Sequence, residues 1–229
     1  MKNRGTLIAV EGIDGSGKQT QTRLLARELE SRGYQVLPTG FPRYGSWFGK
    51  MVGQFLNGDL GPLNSVDPHF AALLYAGNRF EGKQPIVETM ERGGVVIADR
   101  YIASNLAHQA GRAPIEKRSE FRDWIEHLEY VIYGLPEEDL VLYLRVPPEQ
   151  AQLLIAMKAA RQYTEESHDI QESNLDHLRA AASMYDDLSL RENWATIECF
   201  DAVHQIMRPP IEISREILNA VKPKLKVIN

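Results

Sequence analysis

The chain has 229 residues, 43% hydrophobic and 25% charged, which excludes a disordered chain and predicts one well-buried α/β domain over residues 1–229. Its net charge of −5 argues against a general nucleic-acid-binding protein, so affinity for phosphate must come from local clusters of Arg and Lys. The one cysteine excludes an internal disulfide framework, and no apolar run approaches the roughly 20 residues of a membrane helix, so we expect a cytoplasmic protein with no membrane partner.

Short apolar runs rich in Val, Ile and Leu predict five β-strands, at 7–11, 35–39, 95–99, 140–145 and 195–200. Longer helical stretches separate most of them, at 18–32, 46–56, 68–92, 102–110, 115–133, 148–163, 169–190 and 210–221. Strands that alternate with helices favour a parallel sheet covered by helices on both faces.

A glycine-rich turn follows the first predicted strand and leads into the first predicted helix. Its glycines let successive backbone N–H groups turn inward, the helix N-terminus adds partial positive charge, and Lys18 can reach the outer phosphates of a nucleoside triphosphate. One position departs from the usual pattern, because Gln19 stands where a hydroxyl normally ligates Mg²⁺. The residues that we expect to contact ATP here are Gly12, Asp14, Gly15, Ser16, Gly17, Lys18, Gln19 and Thr20.

Two further segments could form an acceptor pocket at the carboxyl edge of the sheet, where ligands of open α/β folds collect. Arg43 lies in a Pro- and Gly-containing turn after the second predicted strand and could hold an anion, although an exposed surface arginine is the plainer interpretation. Tyr75 and Arg79 share one helix face and could stack on a base and hydrogen-bond its edge, but core packing plus a surface charge also explains the pair.

Asp99 and Arg100 stand at the end of the third predicted strand. A carboxylate there can organise Mg²⁺ or its waters, and the arginine can bridge donor and acceptor phosphates. The alternative is that Asp99 caps the following helix while Arg100 pairs with some carboxylate. Ser104, Asn105 and His108 follow on that helix, so that some of them are expected to face the same cleft.

The segment 154–172 has the profile of a mobile lid, since a basic helix end with Lys158 and Arg161 leads into a polar stretch. Any solvated loop has the same profile, and the sequence does not separate the two. The last predicted strand is followed by the turn Asp201-Ala202.

Taken in order, these motifs resemble those of the thymidylate kinases, the P-loop nucleoside monophosphate kinases that phosphorylate dTMP with ATP. The resemblance covers about residues 5–221 and rests on segments 12–20, 41–43, 75–79, 99–105 and 134–142. It implies a P-loop NTPase fold with a five-stranded parallel sheet, helices on both faces and a short lid. It also implies transfer of the γ-phosphoryl group of ATP to dTMP, a requirement for Mg²⁺, and a homodimer.

The resemblance also implies a role for individual residues. The catalytic group would be Lys18, Arg100, Asp14 and Arg161. The acceptor site would consist of Asp14, Phe41, Pro42, Arg43, Tyr75, Arg79, Arg100, Ser104, Asn105 and His108, with the ring N–H of thymine bound by Asn105 or Ser104. The metal region would involve Asp14, Asp99 and Glu172, and the adenine would meet Asp201 and Ala202.

Three departures from the family pattern keep other functions open. Gln19 replaces the usual hydroxyl, residues 153–155 are apolar where many relatives carry an arginine, and His108 stands where an aromatic residue is common. Gly15 also replaces an arginine of some relatives, so lid cations should matter more. The alternatives are a kinase of another nucleotide or nucleoside, a nucleotide-dependent switch, and an inactive nucleotide-binding paralogue. The sequence has no NKxD motif for reading guanine, which argues against the switch.

Overall fold

The structure is a computed structural model that describes residues 4–161, 171 and 174–225, with the side chains of 158–161 also outside the description. Within these residues, no helix has the length and apolar character needed to cross a membrane.

In the described part of the chain, five parallel strands form one sheet in the order β2-β3-β1-β4-β5. The strands are β1 (Thr6–Glu11), β2 (Val36–Gly40), β3 (Val95–Asp99), β4 (Leu140–Arg145) and β5 (Trp194–Glu198). All six residues of β1 are buried, and alternate residues of a strand point to opposite faces, so that both faces of the sheet are covered. The predicted five-stranded, helix-flanked P-loop architecture is confirmed.

The helices of the described residues alternate with these strands. They are α1 (Lys18–Ser31), α2 (Trp47–Leu56), α3 (Pro68–Glu81), α4 (Lys83–Glu91), α5 (Ile102–Asn105), α6 (Arg118–Glu126), α7 (Pro148–Arg161), α8 (Leu175–Leu188) and α9 (Pro210–Val221). Polar N-caps begin several of them: Asp67 accepts from the His69 and Phe70 amides at the start of α3, and Asn174 accepts from the His177 amide at the start of α8.

The single helix predicted over 68–92 is wrong, because the structure has two helices that meet at Gly82. Pro85 has no N–H to donate to the carbonyl one turn back, so it is accommodated only in the first turn of a new helix. Gly82 also lies against Phe41, since a Cβ on Gly82 would come within 2.8 Å of that ring. The break therefore brings α3 and α4 close to the loop after β2.

The other boundaries differ in smaller ways. Helix α5 continues into a π-helical turn (Leu106–Ala110), and α6 continues into another (His127–Ile132). The last predicted strand ends early at Glu198, and a short hairpin of β6 (Phe200–Asp201) and β7 (Ile206–Met207) follows it. Residues 162–170 and 172–173, which include most of the predicted lid and Glu172, lie outside the described residues.

Two apolar clusters hold these elements. The larger cluster surrounds the sheet, and the smaller one joins α2, α3 and the segment between them through Val52, Phe55, Leu63, Val66 and Leu74. In the sheet register, Asp99 at the end of β3 lies beside Val10 of β1 and Gly40 of β2. The segments that leave β1, β2 and β3 therefore meet at one edge, and the second cluster fixes α3 next to it.

Candidate active site

The glycine-rich loop after β1 is built by backbone conformation. Gly12, Gly15 and Gly17 have φ values of 141°, 82° and 90°, which disfavour a side chain. A Cβ on Gly12 would also come within 2.6 Å of the Leu144 carbonyl oxygen, and one on Gly15 would lie equally close to that of Ala151. Helix α1 begins directly after this loop at Lys18, and no side chain of the described residues caps its first N–H groups. These amides are therefore available to an anion.

Lys18 is held inside the loop. Its Nζ donates to the Ile13 carbonyl at 2.8 Å and lies 3.9 Å from Asp14 Oδ1. Burial, and then the nearby Arg100 charge, lower the pKa of Lys18 to about 8, although Asp14 acts in the opposite direction. An entering phosphate would favour the charged form of this lysine.

Arg100 bonds to the phosphate loop on one side and to the helix that follows β3 on the other. Its Nη2 donates to Asp14 Oδ1, and its Nη1 lies 3.1 Å from Ser104 Oγ and 3.2 Å from His108 Nε2. Burial alone would raise the pKa of Asp14, yet Arg100 and Lys18 hold it well below its usual range. Asp14 is therefore a carboxylate, and it links the phosphate loop to Arg100.

The backbone of Arg100 is strained and externally supported. Its φ of 65° lies in the left-handed region, which a residue other than glycine adopts only where its surroundings enforce it. The buried carboxylate of Glu11 accepts from the Tyr101 amide at 2.6 Å, and from the Ser104 amide and hydroxyl at 3.2 and 2.6 Å. Tyr185 Oη also donates to Glu11, at 2.9 Å. Glu11 therefore caps α5 from the neighbouring strand and fixes the direction of Arg100.

The donor set of the loop suits Mg²⁺ held mainly by phosphates. Within the described residues no group of three His, Cys, Asp or Glu side chains could form a metal site. Ser16 Oγ is buried without a partner in the same part of the chain, and Asp99 lies half-buried at the end of β3. Mg²⁺ commonly takes one or two protein oxygens together with substrate phosphates and water, so this arrangement fits the ion. Gln19 is exposed.

The loop after β2 is organised from α3. Asn78 accepts from the Arg43 amide at 2.8 Å and donates to Ser46 Oγ at the same distance, while Glu81 accepts from the first amides of α2. These bonds hold the end of this loop and the start of α2 against α3. Arg43 itself is exposed, and its guanidinium lies beside Gly82, where Nη1 would be 3.1 Å from an added Cβ.

One cavity opens between these elements and the phosphate loop. In the part of the chain that the structure describes, all of the predicted acceptor residues except Arg43 line it: Asp14, Phe41, Pro42, Tyr75, Arg79, Arg100, Ser104, Asn105 and His108. Four lining residues were not predicted, namely Tyr44, Leu56, Gln109 and Gln171. The Tyr75 ring packs edge-on against Phe55, with 6.3 Å between ring centroids, and its hydroxyl donates to Gln171 at 3.2 Å.

Arg79 is more deeply buried than the sequence suggested, with 1% of its surface exposed. Its Nε and Nη2 donate to the two carboxylate oxygens of Glu129 at 2.5 and 2.7 Å. Burial alone would lower the pKa of Arg79, but Glu129 raises it. Nη1 has no hydrogen bond to Glu129 or to another group of the described residues, so its N–H groups remain for a ligand.

Asn105 and Gln109 lie four residues apart in the same cavity wall. Asn105 Nδ2 donates to Ala72 O at 3.1 Å and Glu129 Oε1 at 2.8 Å, so that its Oδ1 has no hydrogen-bond partner within the described residues. Gln109 Oε1 accepts from Arg112 at 2.8 Å, and its Nε2 likewise has no partner there. Sequence reasoning missed Gln109, although its spacing from Asn105 was a usable signal.

Ser104 and His108 both contact Arg100. The Ser104 hydroxyl donates to Glu11 and accepts from Arg100. Since arginine only donates, His108 Nε2 accepts, and its Nδ1–H therefore donates to His177 Nε2 at 3.1 Å. Burial and the Arg100 charge hold the pKa of His108 well below its usual range, and burial lowers that of His177 to about 4. Both rings are therefore neutral at pH 7.

The remaining predicted residues are less informative. Asp201 Oδ1 accepts from the Val203 and His204 amides at 2.9 and 3.0 Å, and this side chain closes the hairpin turn. The adenine contact of Asp201 and Ala202 stays a prediction. The side chain of Arg161 and all of Glu172 lie outside the described residues.

A parallel sheet with a phosphate loop after its first strand, and a separate polar cavity at the same edge, define a kinase of the P-loop class. The family model for thymidylate kinase matches residues 10–208. The chain therefore belongs to the thymidylate kinase family.

Individual relatives agree with this assignment. The thymidylate kinase of Mycobacterium tuberculosis strain H37Rv is 36% identical over 147 residues, which are 63% of this chain and 68% of that protein. The human thymidylate kinase is 30% identical over 208 residues, covering 90% of this chain and 89% of its own. The solved structure of thymidylate kinase from Candida albicans has a TM-score of 0.69 over 96% of this chain and 92% of its own. At 19% identity it supports the fold alone.

Proposed function

We infer that this protein is a dTMP kinase that transfers the γ-phosphoryl group of ATP to dTMP and releases dTDP and ADP. The observation that carries this conclusion is that a phosphate loop and a cavity with matching polar groups open at one sheet edge. Family membership supports the same activity and does not favour the other nucleotide kinases or an inactive paralogue.

The polar groups of the cavity match the edge of a thymine ring. That edge presents the carbonyl oxygen O2, the N3–H group and the carbonyl oxygen O4, in the order acceptor, donor, acceptor. The wall offers one acceptor, Asn105 Oδ1, and two donors, Gln109 Nε2 and Arg79 Nη1. Cytosine presents an acceptor at N3 and donors at N4, so two of its groups would be mispaired. Buried mispaired groups are costly, and the set therefore favours thymine or uracil.

The chain contributes position and charge to the reaction. The acceptor phosphate is already an anion, so no general base is needed, and catalysis rests on alignment and on neutralising the transferred group. In this proposal Lys18 and the loop amides bind the donor phosphates, and Arg100 binds the acceptor phosphate and the migrating group. Asp14 orients Arg100, and Phe41 and Tyr75 enclose the ring. Arg43 would have to turn from Gly82 to reach the phosphate, and Arg161 is proposed as the lid cation.

Mg²⁺, when bound with ATP, supplies charge neutralisation at the phosphate oxygens. Asp99, Asp14 and Glu172 are its proposed protein-side contacts, with Ser16 Oγ as a further oxygen in the loop. Gln19 has no hydroxyl to offer. A hydroxyl ligand at that position is therefore not part of the proposal.

The test is a coupled assay of the purified chain with ATP, Mg²⁺ and each monophosphate in turn. We expect turnover with dTMP, weaker turnover with dUMP, and far less with dCMP. The matched control is Lys18→Met, which should lose activity if the measured kinase is this chain. Absence of dTMP turnover, or a preference for dCMP, would contradict the assignment.

A homodimer is proposed on the exposed face of α3. Phe70, Leu73 and Phe80 lie on one stripe of that helix and are each more than a third exposed. The adjoining π-helical turn also exposes Val131 and Ile132. We expect light scattering to give a dimer for the natural chain and a monomer for Leu73→Glu.

One domain over 1–229, a lid at 154–172 and a cytoplasmic location stay predictions.

A further inference from the structure

Arg112 lies behind the acceptor cavity and contacts its wall through a side chain that lines it. It lies after the π-helical turn that carries Gln109, and its Nη1 donates to Gln109 Oε1 at 2.8 Å. Its Nη2 donates to the carbonyl oxygens of Leu63, at 2.6 Å, and Val66. The guanidinium carbon lies 6.0 Å from the centre of the Phe55 ring. Arg112 is therefore anchored to the segment between α2 and α3 on one side and to Gln109 on the other.

This contact decides which end of the Gln109 amide is available to a ligand. A glutamine amide has a donor end and an acceptor end of nearly the same shape, so it can bind a base in either of two orientations. Arginine only donates, and it therefore selects the oxygen of Gln109 as its partner. The nitrogen, which has no partner within the described residues, is left for the cavity.

We propose that Arg112 is a specificity-positioning residue, which makes the acceptor site select thymine over cytosine by fixing the donor end of Gln109 toward the base. The proposal rests on the dTMP kinase function inferred above. Arg112 does not line the cavity as far as the structure describes it, so its effect on selectivity passes through Gln109.

The second amide in the wall is fixed in a different way. Glu129 and the Ala72 carbonyl both accept from Asn105 Nδ2, so that Asn105 cannot turn without losing two bonds. Gln109 has Arg112 as the side chain that orients its amide. In this proposal Gln109, rather than Arg79, faces position 4 of the base, where thymine has a carbonyl and cytosine an amino group. Without Arg112 the Gln109 amide can then turn and accept from that amino group. Selectivity should therefore depend on Arg112, although Arg112 lies outside the cavity wall.

The experiment compares kcat/KM for dTMP, dUMP and dCMP in natural enzyme and in Arg112→Met. We expect the dTMP-to-dCMP ratio to fall by at least about tenfold, because a buried polar mismatch no longer opposes cytosine. The dTMP-to-dUMP ratio should stay within about twofold, since both bases present the same hydrogen-bonding edge. Loosening of the whole pocket would alter both ratios.

Arg118→Met is the matched control. Arg118 is also half-buried and donates to main-chain carbonyls of the same segment, Ala113 at 3.1 Å and Gly111 at 3.0 Å, and its bonds do not involve Gln109 as far as the chain is described. We expect this variant to keep both ratios. If Arg112→Met does not fold, Arg112→Gln is measured, because its amide can donate or accept and fixes no orientation.

A double-mutant cycle tests whether Arg112 acts through Gln109. In a Gln109→Leu background, Arg112→Met should leave the dTMP-to-dCMP ratio unchanged. The proposal is overturned if the folded Arg112 variant keeps the natural ratio, if Arg118→Met lowers it equally, or if the two substitutions act additively. An absence of dTMP turnover in the natural enzyme would instead contradict the proposed function, so the two failures are distinguishable.

Discussion

The buried ion pair of Arg79 and Glu129 allows a quantitative prediction. Arg79 is 1% exposed and Glu129 is fully buried, and Glu129 accepts two bonds from Arg79 and one from Asn105. Glu129→Met would leave a buried guanidinium without its counter-charge, which costs about 3–5 kcal/mol. For a chain of this size each kcal/mol lowers the melting temperature by about 2–4 °C, so we expect a fall of about 6–20 °C.

The double variant Arg79→Met/Glu129→Met separates stability from binding. Replacing a buried pair with apolar side chains of similar volume is often close to neutral, so most of the lost stability should return. Asn105 keeps its bond to Ala72 O in both variants. The double variant still lacks the Arg79 donor, and its KM for dTMP should therefore stay raised. Urea unfolding measures the free energy of unfolding, and steady-state kinetics measures the KM for dTMP.

Three results would refute this reasoning. A loss of less than about 1 kcal/mol for Glu129→Met would mean that water or a rearranged partner reaches Arg79, contrary to its burial. A double variant as unstable as the single one would mean that packing volume, rather than charge, determines the cost. A normal KM for dTMP in the stable double variant would remove Arg79 from base recognition.

Three further predictions concern the phosphate loop, Arg100 and a buried carboxyl. Arg100→Ala should lower kcat on the order of 10²-fold while the chain still folds, and near-normal turnover would exclude it from the mechanism. Gly15→Ala should abolish measurable ADP binding by calorimetry, because φ is 82° and the Cβ would meet the Ala151 carbonyl oxygen at 2.6 Å; normal affinity would show that the loop relaxes. Burial raises the pKa of Glu138 to about 7 from 4.5, although Tyr130 donates to it. The natural chain should therefore lose on the order of 1–3 kcal/mol, relative to Glu138→Gln, as pH rises from 5 to 8 in urea unfolding, and a constant difference would refute the shift.

The sequence predicts best those features whose cause is local. The apolar runs of the five strands and the glycine loop after β1 depend on neighbours within a few residues, and the structure has each of them. Gly82 marks the limit of that approach. Together with Pro85 it gave a local signal for two helices, but the apolar periodicity on either side favoured one continuous helix.

Partners that are distant in sequence were not predictable from spacing. Arg79 lies 50 residues from Glu129, and the pairing arises only when the π-helical turn packs against α3. The orientation of the Gln109 amide depends on Arg112, which is itself placed by carbonyls 49 and 46 residues away. The motifs and their family resemblance predicted most of the residues of the proposed acceptor site, whereas tertiary contacts determine which end of each amide is available to a ligand.

The contacts of Arg100 suggest how one side chain can be both fixed and available. Its backbone is held in a strained conformation by Glu11, and its Nη2 is paired with the charged carboxylate of Asp14. Within the described residues its Nη1, by contrast, bonds to neutral acceptors, which include the hydroxyl of Ser104 and the ring of His108. The negative charge of Asp14 adds a Coulomb attraction to the guanidinium that a neutral acceptor lacks, so an entering phosphate should displace the neutral partners before Asp14. Arg100 would thus exchange the partners of its Nη1 while its Nη2 stays bonded to Asp14. A preorganised phosphoryl-transfer site requires a cation that is held in this way.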